Sequence, residues 1–264
     1  MPLIHDPAGI KLGRKPAIKD TRTLRLARYL SPKSLPAVPD SVDWGHGISG
    51  WDMFLNDQYG CCTAAGAGHL VKLWNDRCGR EAIVTNADIL ALYEIVTRNE
   101  GAQFDPTTGK NDNGCVELDV LRTLRDWQFA GRKVDAFVAV DVRRHELLKA
   151  AIYMFGGAYV GLKLPISAQN QGVWRVTNRL LKGDAEPGSW GGHCVAVIGY
   201  DASGLTCVTW GQEKRMTWDW WDAYGEEAWA LLSEDWIGAN QLAPNTFNFS
   251  QLKADLAEVG KSPA

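Results

Sequence analysis

Two cysteines and a histidine are the residues in this chain best suited to do chemistry. Cys61 and Cys62 follow a polar turn, Asn56-Asp57-Gln58-Tyr59-Gly60, and lead into Thr63-Ala64-Ala65-Gly66-Ala67-Gly68-His69-Leu70. The pattern predicts a loop feeding a buried helix that starts on a thiol. A helix start carries unpaired N–H groups and partial positive charge, an environment that stabilises a thiolate and makes it a nucleophile. The same pattern also suits a small buried thiol in a well-packed helix. His193 opens the run His193-Cys194-Val195-Ala196-Val197-Ile198-Gly199-Tyr200. It is either a general base or a buried histidine satisfied by a backbone carbonyl.

Composition narrows the setting. The 264 residues are 45% hydrophobic, enough for one large domain or two lobes around a sizeable core. A net charge of −3 gives no pointer to nucleic acid. No run of 18 apolar residues predicts a membrane span, and the first residues lack a basic-then-apolar signal pattern. A cytoplasmic or virion-associated protein with reduced cysteines is expected. The six cysteines form no CxxC pair, so neither a zinc ribbon nor another metal or cofactor site is expected. Of twelve tryptophans, six lie between Trp210 and Trp236, which predicts an aromatic cluster near the C-terminal end.

The elements that must position the thiol and the imidazole follow from periodicity and turn chemistry. Residues 1–40 carry eight Lys/Arg against three Asp/Glu and six prolines, and read as an extended basic arm. Thr21 to Leu30 is its one helical stretch. The arm either wraps the acidic body of its own chain or docks on a protein partner. The helix from Cys62 should end near Cys78-Gly79, and Thr85-Asn86-Ala87-Asp88 resembles a capping box for the next. Lys110-Asn111-Asp112-Asn113-Gly114 reads as a turn rather than a calcium loop, since regular acidic spacing and a closing Glu are missing. A helix then carries Leu118, Leu121, Leu124 and Trp127 and stops at Gly131. Val134 to Val140 alternates as a strand. Asp141 should cap a helix ended by Gly156-Gly157, and Ala158 to Leu164 is a second strand. After a long loop, 165–192, the His193 strand turns at Asp201-Ala202-Ser203-Gly204 into Leu205 to Gly211. Thr217 should cap a short helix, and Glu227 to Leu232 is the last strand. Helices first and strands second imply an α+β fold of two unlike lobes.

Four segments in this order resemble the papain-like cysteine peptidases. Ser41-Val42-Asp43-Trp44 is similar to the "VDW" that opens the mature papain-type domain. The loop–Cys–helix stretch 56–74 follows at the family distance, and Thr85 to Leu92 stands where the family has its "SEQELLDC" helix. His193 to Tyr200 resembles "HAVxxVGY", and Thr209-Trp210-Gly211 resembles the end of "NSWG". The resemblance covers roughly 41–235, and it is also similar to a looser set of bacterial and phage papain-like proteins. It implies a helical lobe over about 41–131 and an antiparallel, β-barrel-like lobe over about 132–245, with a cleft between them. The basic arm, 1–40, and a C-terminal tail, 246–264, lie outside.

The resemblance also implies roles. Cys62, directly before the helix, would be the nucleophile, and His193 its base and acid. Trp210 would shield the His pair. The family Asn that orients the histidine is absent: sixteen residues on from His193 stands Thr209, and matching the Trp-Gly instead gives Val208. The oxyanion-hole Gln is replaced by Asn56, six residues before Cys62, while Gln58 is the right type at the wrong interval. His69 falls on the Cys62 face of the helix two turns on and reads as structural. Two functions remain open. One is a thiol hydrolase acting on a peptide-like or amide substrate. The other is a papain-like structural or docking module of a larger assembly such as a phage particle, gripping a neighbour through the arm.

Overall fold

A computed structural model describes residues 10–29, 38–79, 83–233 and 236. The tail 246–264 and the arm residues 1–9 and 30–37 lie outside the described residues.

Along the described chain a one-turn helix α1 (Leu26–Tyr29) precedes a short strand β1 (Val42–Asp43). Three helices follow, α2 (Cys62–Arg77), α3 (Asn86–Asn99) and α4 (Glu117–Asp126). Then come β2 (Ala136–Val140), α5 (His145–Phe155), β3 (Ala158–Leu164) and β4 (Val173–Trp174). The chain closes with β5 (Gly191–Asp201), β6 (Gly204–Thr209), β7 (Gln212–Thr217), α6 (Trp218–Tyr224) and β8 (Gly225–Leu232). The strands form one sheet in the order β2-β8-β3-β5-β6-β7-β4, with β1 on the far end of β5. All pairs are antiparallel except β4 with β7.

The architecture is α+β, as the order of patterns predicts, but the expected barrel-like lobe is an open sheet. Its central strands serve two cores. β5 sends Val195 and Val197 to one and Cys194, Ala196 and Ile198 to the other. Alternate residues point to opposite faces, so a strand buried on both reads as a continuous apolar run. One face carries α2, α3 and α4; the other carries α5 and α6.

α2 sits directly on the sheet because its first turns are built of small residues. A Cβ on Gly66 would lie 3.2 Å from Cys194 Sγ and 3.3 Å from the Tyr159 ring. Tyr159 donates from its hydroxyl to the Thr63 carbonyl at 2.9 Å, anchoring the first turn. α3 starts on the predicted capping box, with Thr85 Oγ1 and the Asp88 side chain each bound to the other's backbone N–H. Such a cap contributes about 1 kcal/mol.

Several boundaries differ from the sequence reading. α4 ends at Asp126, and Trp127 leaves it in an extended conformation (φ −128°), well before Gly131. Asp141 does not cap α5: its carboxylate accepts from Arg143 N–H, making a local turn, and Arg144 holds the cap position without a side-chain bond. Thr217 stands at the start of α6 but its hydroxyl reaches Trp174 O rather than the helix N–H groups. In the arm, Leu26–Tyr29 is helical and residues 21–25 of the expected Thr21–Leu30 stretch are not; Leu30 lies outside the described residues.

Candidate active site

Cys62 is the first residue of α2, and no side chain caps that helix end. Cys61, in the cap position, turns its thiol to Phe54 O at 3.4 Å. Backbone N–H groups of Cys194 and Gly13 favour the Cys62 thiolate. Cys194 follows His193 on β5, and α2 packs on β5 where Gly66 meets Cys194.

His193 is wholly buried and held from two sides. Its Nε2 lies 2.7 Å from Thr209 Oγ1 on the adjacent strand β6. Its ring stacks on the Trp210 indole, centroids 4.3 Å apart and planes 16° from parallel. Nδ1 has no hydrogen-bond partner among the described residues. Trp210 reaches this position through a tight hairpin. Thr209 pairs with Gln212, and the two residues between them have positive φ, +46° at Trp210 and +71° at Gly211. That is the left-handed pair a two-residue hairpin demands. Trp174 and Trp190 pack on Trp210 in turn, and Trp220 stacks on Trp174 at 4.8 Å, forming the expected aromatic cluster.

The arm lies across this site. Lys11 N–H donates to Asn56 O at 3.1 Å. The Lys11 carbonyl accepts from Asn56 Nδ2 at 3.2 Å and from Trp210 Nε1 at 3.3 Å. Gly13 O accepts from Cys115 N–H at 2.8 Å, and Lys15 N–H donates to Cys115 O at 2.9 Å, a parallel bridge centred on Arg14 and Cys115. On the opposite side Arg14 N–H donates to Gly192 O at 3.2 Å. The fit leaves no room for side chains. A Cβ on Gly13 would lie 1.7 Å from Gly60 O, and one on Gly114 would lie 1.7 Å from Gly13 O.

Arg14 sends its side chain into an acidic recess. Nη1 is 2.6 Å from Glu226 Oε2, Nε is 3.1 Å from Glu227 Oε1, and Nη2 also meets Glu227. Glu117, at the start of α4, lies 3.1 Å from Nε. Burial opposes the charge on Arg14, but Glu117 and Glu227 outweigh it and hold the guanidinium firmly protonated. Burial pushes the carboxyls of Glu117 and Glu227 up.

Under this cover the thiol and imidazole are both electrically neutral. Burial pushes the Cys62 thiol up to about 12, against the lowering expected of a helix start. Burial likewise pushes His193 down to about 3. For the thiol, desolvation outweighs the helix terminus.

No protein-family model and no curated protein matches the chain. Solved structures do. Xylellain, a cysteine protease from Xylella fastidiosa, superposes with a TM-score of 0.65 over 88% of this chain and 99% of its own, at 15% identity. Digestive procathepsin L 3 of Tenebrio molitor larval midgut gives 0.56 over 85% and 77%, at 15% identity. Procathepsin B S9 from Trypanosoma congolense gives 0.53 over 86% and 87%, at 10% identity. The fold is papain-like.

Within this papain-like fold, His193 and Thr209 meet across the β5–β6 pair, and Cys62 heads α2, which packs on β5 through Gly66 and Cys194. Asn56 borders the site through the Lys11 carbonyl. Val208 is buried in the core on the side of the helices, so of the two sequence alignments for the histidine's partner the sixteen-residue interval fits the contact. Gln58 is exposed. His69 is structural: its Nε2 meets Asp52 O at 2.8 Å and its ring packs on Phe54 and Trp51. Asp112, in the Asn- and Asp-rich turn, accepts from Gly60 N–H at 2.9 Å and from Tyr93 OH at 2.8 Å, bracing the turn before the cysteines. The sequence reading missed Gly13, Arg14, Glu117 and Glu227. The arm's net positive charge against the acidic body was a signal for the contact, but nothing local marked which arginine makes it.

Proposed function

We propose that the chain is a thiol hydrolase of amide or peptide bonds, carried in a latent form with its own residues 11–15 in the cleft. The observation that carries this reading is the state of His193. One ring nitrogen is held by Thr209, and the other is buried without a hydrogen-bond partner among the described residues. With Nε2–H donating to Thr209, Nδ1 is the basic nitrogen, available to take the Cys62 proton.

Once the arm leaves, water returns and the thiolate–imidazolium pair becomes accessible. The thiolate adds to the substrate carbonyl carbon, and the oxygen takes the negative charge. Asn56 Nδ2 is the candidate donor to that oxygen; the Lys11 carbonyl that it now holds stands in for a substrate carbonyl. His193 then returns the proton to the leaving amine, and water releases the acyl group. The likeness to cysteine proteases, two of them titled as pro-forms, supports the same reading at the level of the fold.

Iodoacetamide at about pH 6, where an ordinary thiol is mostly protonated, tests it. Gly13→Ala in the full chain forces the arm off Gly60. Mass spectrometry should then find Cys62 alkylated at least about tenfold faster than in wild type, and His193→Ala in the same background should abolish the gain. Labelling of Cys62 in the arm-displaced protein no faster than that of half-buried Cys78 would sink the hydrolase reading.

A further inference from the structure

The recess that holds Arg14 is larger in charge than the arm needs. Three carboxyl groups, Glu117, Glu226 and Glu227, converge on one guanidinium, and among the described residues only Glu226 has a second cation, Lys163 at 2.7 Å. Glu117 is wholly buried, with its Oε1 3.1 Å from Arg14 Nε. Glu227 Oε2 is fixed from behind by Trp229 Nε1 at 3.1 Å, which turns Oε1 to the recess. The floor is cut to shape. A Cβ on Gly161 would lie 2.2 Å from Arg14 Nε and 2.6 Å from Cζ, and β3 shifts register against β8 at this residue.

We propose that this recess is the substrate-selecting pocket of the site and takes the guanidinium of an arginine near the bond to be cleaved, Arg14 being its resident occupant in the latent form. The proposal rests on the hydrolase reading for its cleavage step only; the pocket itself is defined by binding. Placement supports it. Arg14 N–H donates to Gly192 O, just before His193, and Gly161 on the recess floor pairs with Cys194, just after it, so the recess opens beside the histidine. Shape supports it as well. Nε, Nη1 and Nη2 each meet a carboxylate, a fork that guanidinium fills and a single ammonium does not. Charge gives the third argument: an empty recess leaves buried carboxylates without a cation, a costly state that an incoming arginine relieves.

The test uses full-length Arg14→Ala protein with n-butylguanidine and n-butylamine as probes, read by thermal unfolding. Butylguanidine should raise the melting temperature of Arg14→Ala by several degrees, butylamine by less, and neither should move wild type. Adding Gly161→Ala or Glu227→Gln should remove the shift. Should Arg14→Ala lack a cooperative transition, Arg14→Lys replaces it, with a smaller shift in the same order expected. Gly13→Ala protein is then assayed on fluorogenic peptide amides with Arg, Lys or Leu at each of the three positions before the cleaved amide. Arginine at one position should raise kcat/KM by at least about tenfold. Selective binding without hydrolysis of any peptide would keep the pocket and overturn the hydrolase. Hydrolysis indifferent to arginine, or equal shifts from the two probes, would overturn the pocket and leave it an anchor for the arm.

Discussion

His193 is held at one ring nitrogen by a hydroxyl, where the resembled family has an amide. A threonine can orient the ring through Nε2 but offers a weaker, more mobile acceptor. Thr209→Val should therefore lower the Cys62 alkylation rate of arm-displaced protein by about tenfold, short of the 10²–10⁴ associated with losing a general base. Thr209→Asn should match or exceed wild type. His69 shows what a histidine does here when it has only a structural role. Burial pushes it down to about 4, from an ordinary 6.5, while Asp52 O fixes its ring. The unfolded chain thus binds the proton first as pH falls, so stability is lost between about pH 6.5 and 4. Urea unfolding across that window should fall by up to on the order of 3 kcal/mol from this residue, and His69→Gln should flatten the slope. At this scale the sequence was most informative about residue types with chemistry of their own. Cys62, His193 and Thr209 could be picked out because order and spacing constrain them. Glu117 and Glu227 could not: each is a charged residue at the start of an element, where a solvated side chain is the ordinary outcome.

At the scale of elements, the site depends on close approach. Gly66 would cost α2 about 1 kcal/mol relative to alanine in an isolated helix. It is used because a Cβ there would press on Cys194 Sγ, the residue after His193 on β5. The turn before α2 is held by Asp112, which binds Gly60 N–H and Tyr93 OH together. Asp112→Ala should destabilise the fold by about 2–3 kcal/mol, since two buried donors lose their acceptor. Circular dichroism melts would register the loss. Elements with clear periodicity, such as α2, α3, β3 and β5, were legible in the sequence nearly to the residue. β7 was not: Gln212-Glu213-Lys214-Arg215 has no apolar alternation, and Trp210-Gly211 is not an obvious hairpin turn. α5 began late because Asp141 spends its carboxylate on a local turn.

For the whole molecule, the described part of the basic arm runs over its own body. From the cleft it continues to β2, where the Leu24 carbonyl accepts from Ala139 N–H and Leu26 is buried in the sheet's core. This is the arrangement the charge split between arm and body allowed, but charge has no register. Backbone pairing at Gly13, Arg14 and Cys115 sets the register, and it follows from three-dimensional fit that no linear pattern encodes.

The cover over Cys62 also bears on how such a protein survives storage in an oxidising cell. Peroxide attacks the thiolate, and at a pKa of about 12 roughly one thiol in 10⁵ is ionised at pH 7. On the proposed hydrolase reading, the strap that keeps substrate out also keeps the sulfur reduced, and opening exposes the same atom to sulfenic and then irreversible sulfinic acid. Wild-type protein treated with millimolar hydrogen peroxide should retain an unmodified Cys62 by mass spectrometry, whereas Gly13→Ala protein should gain one to two oxygens there within minutes. On that reading, latency is a shelf life for the proposed nucleophile, and release starts a clock.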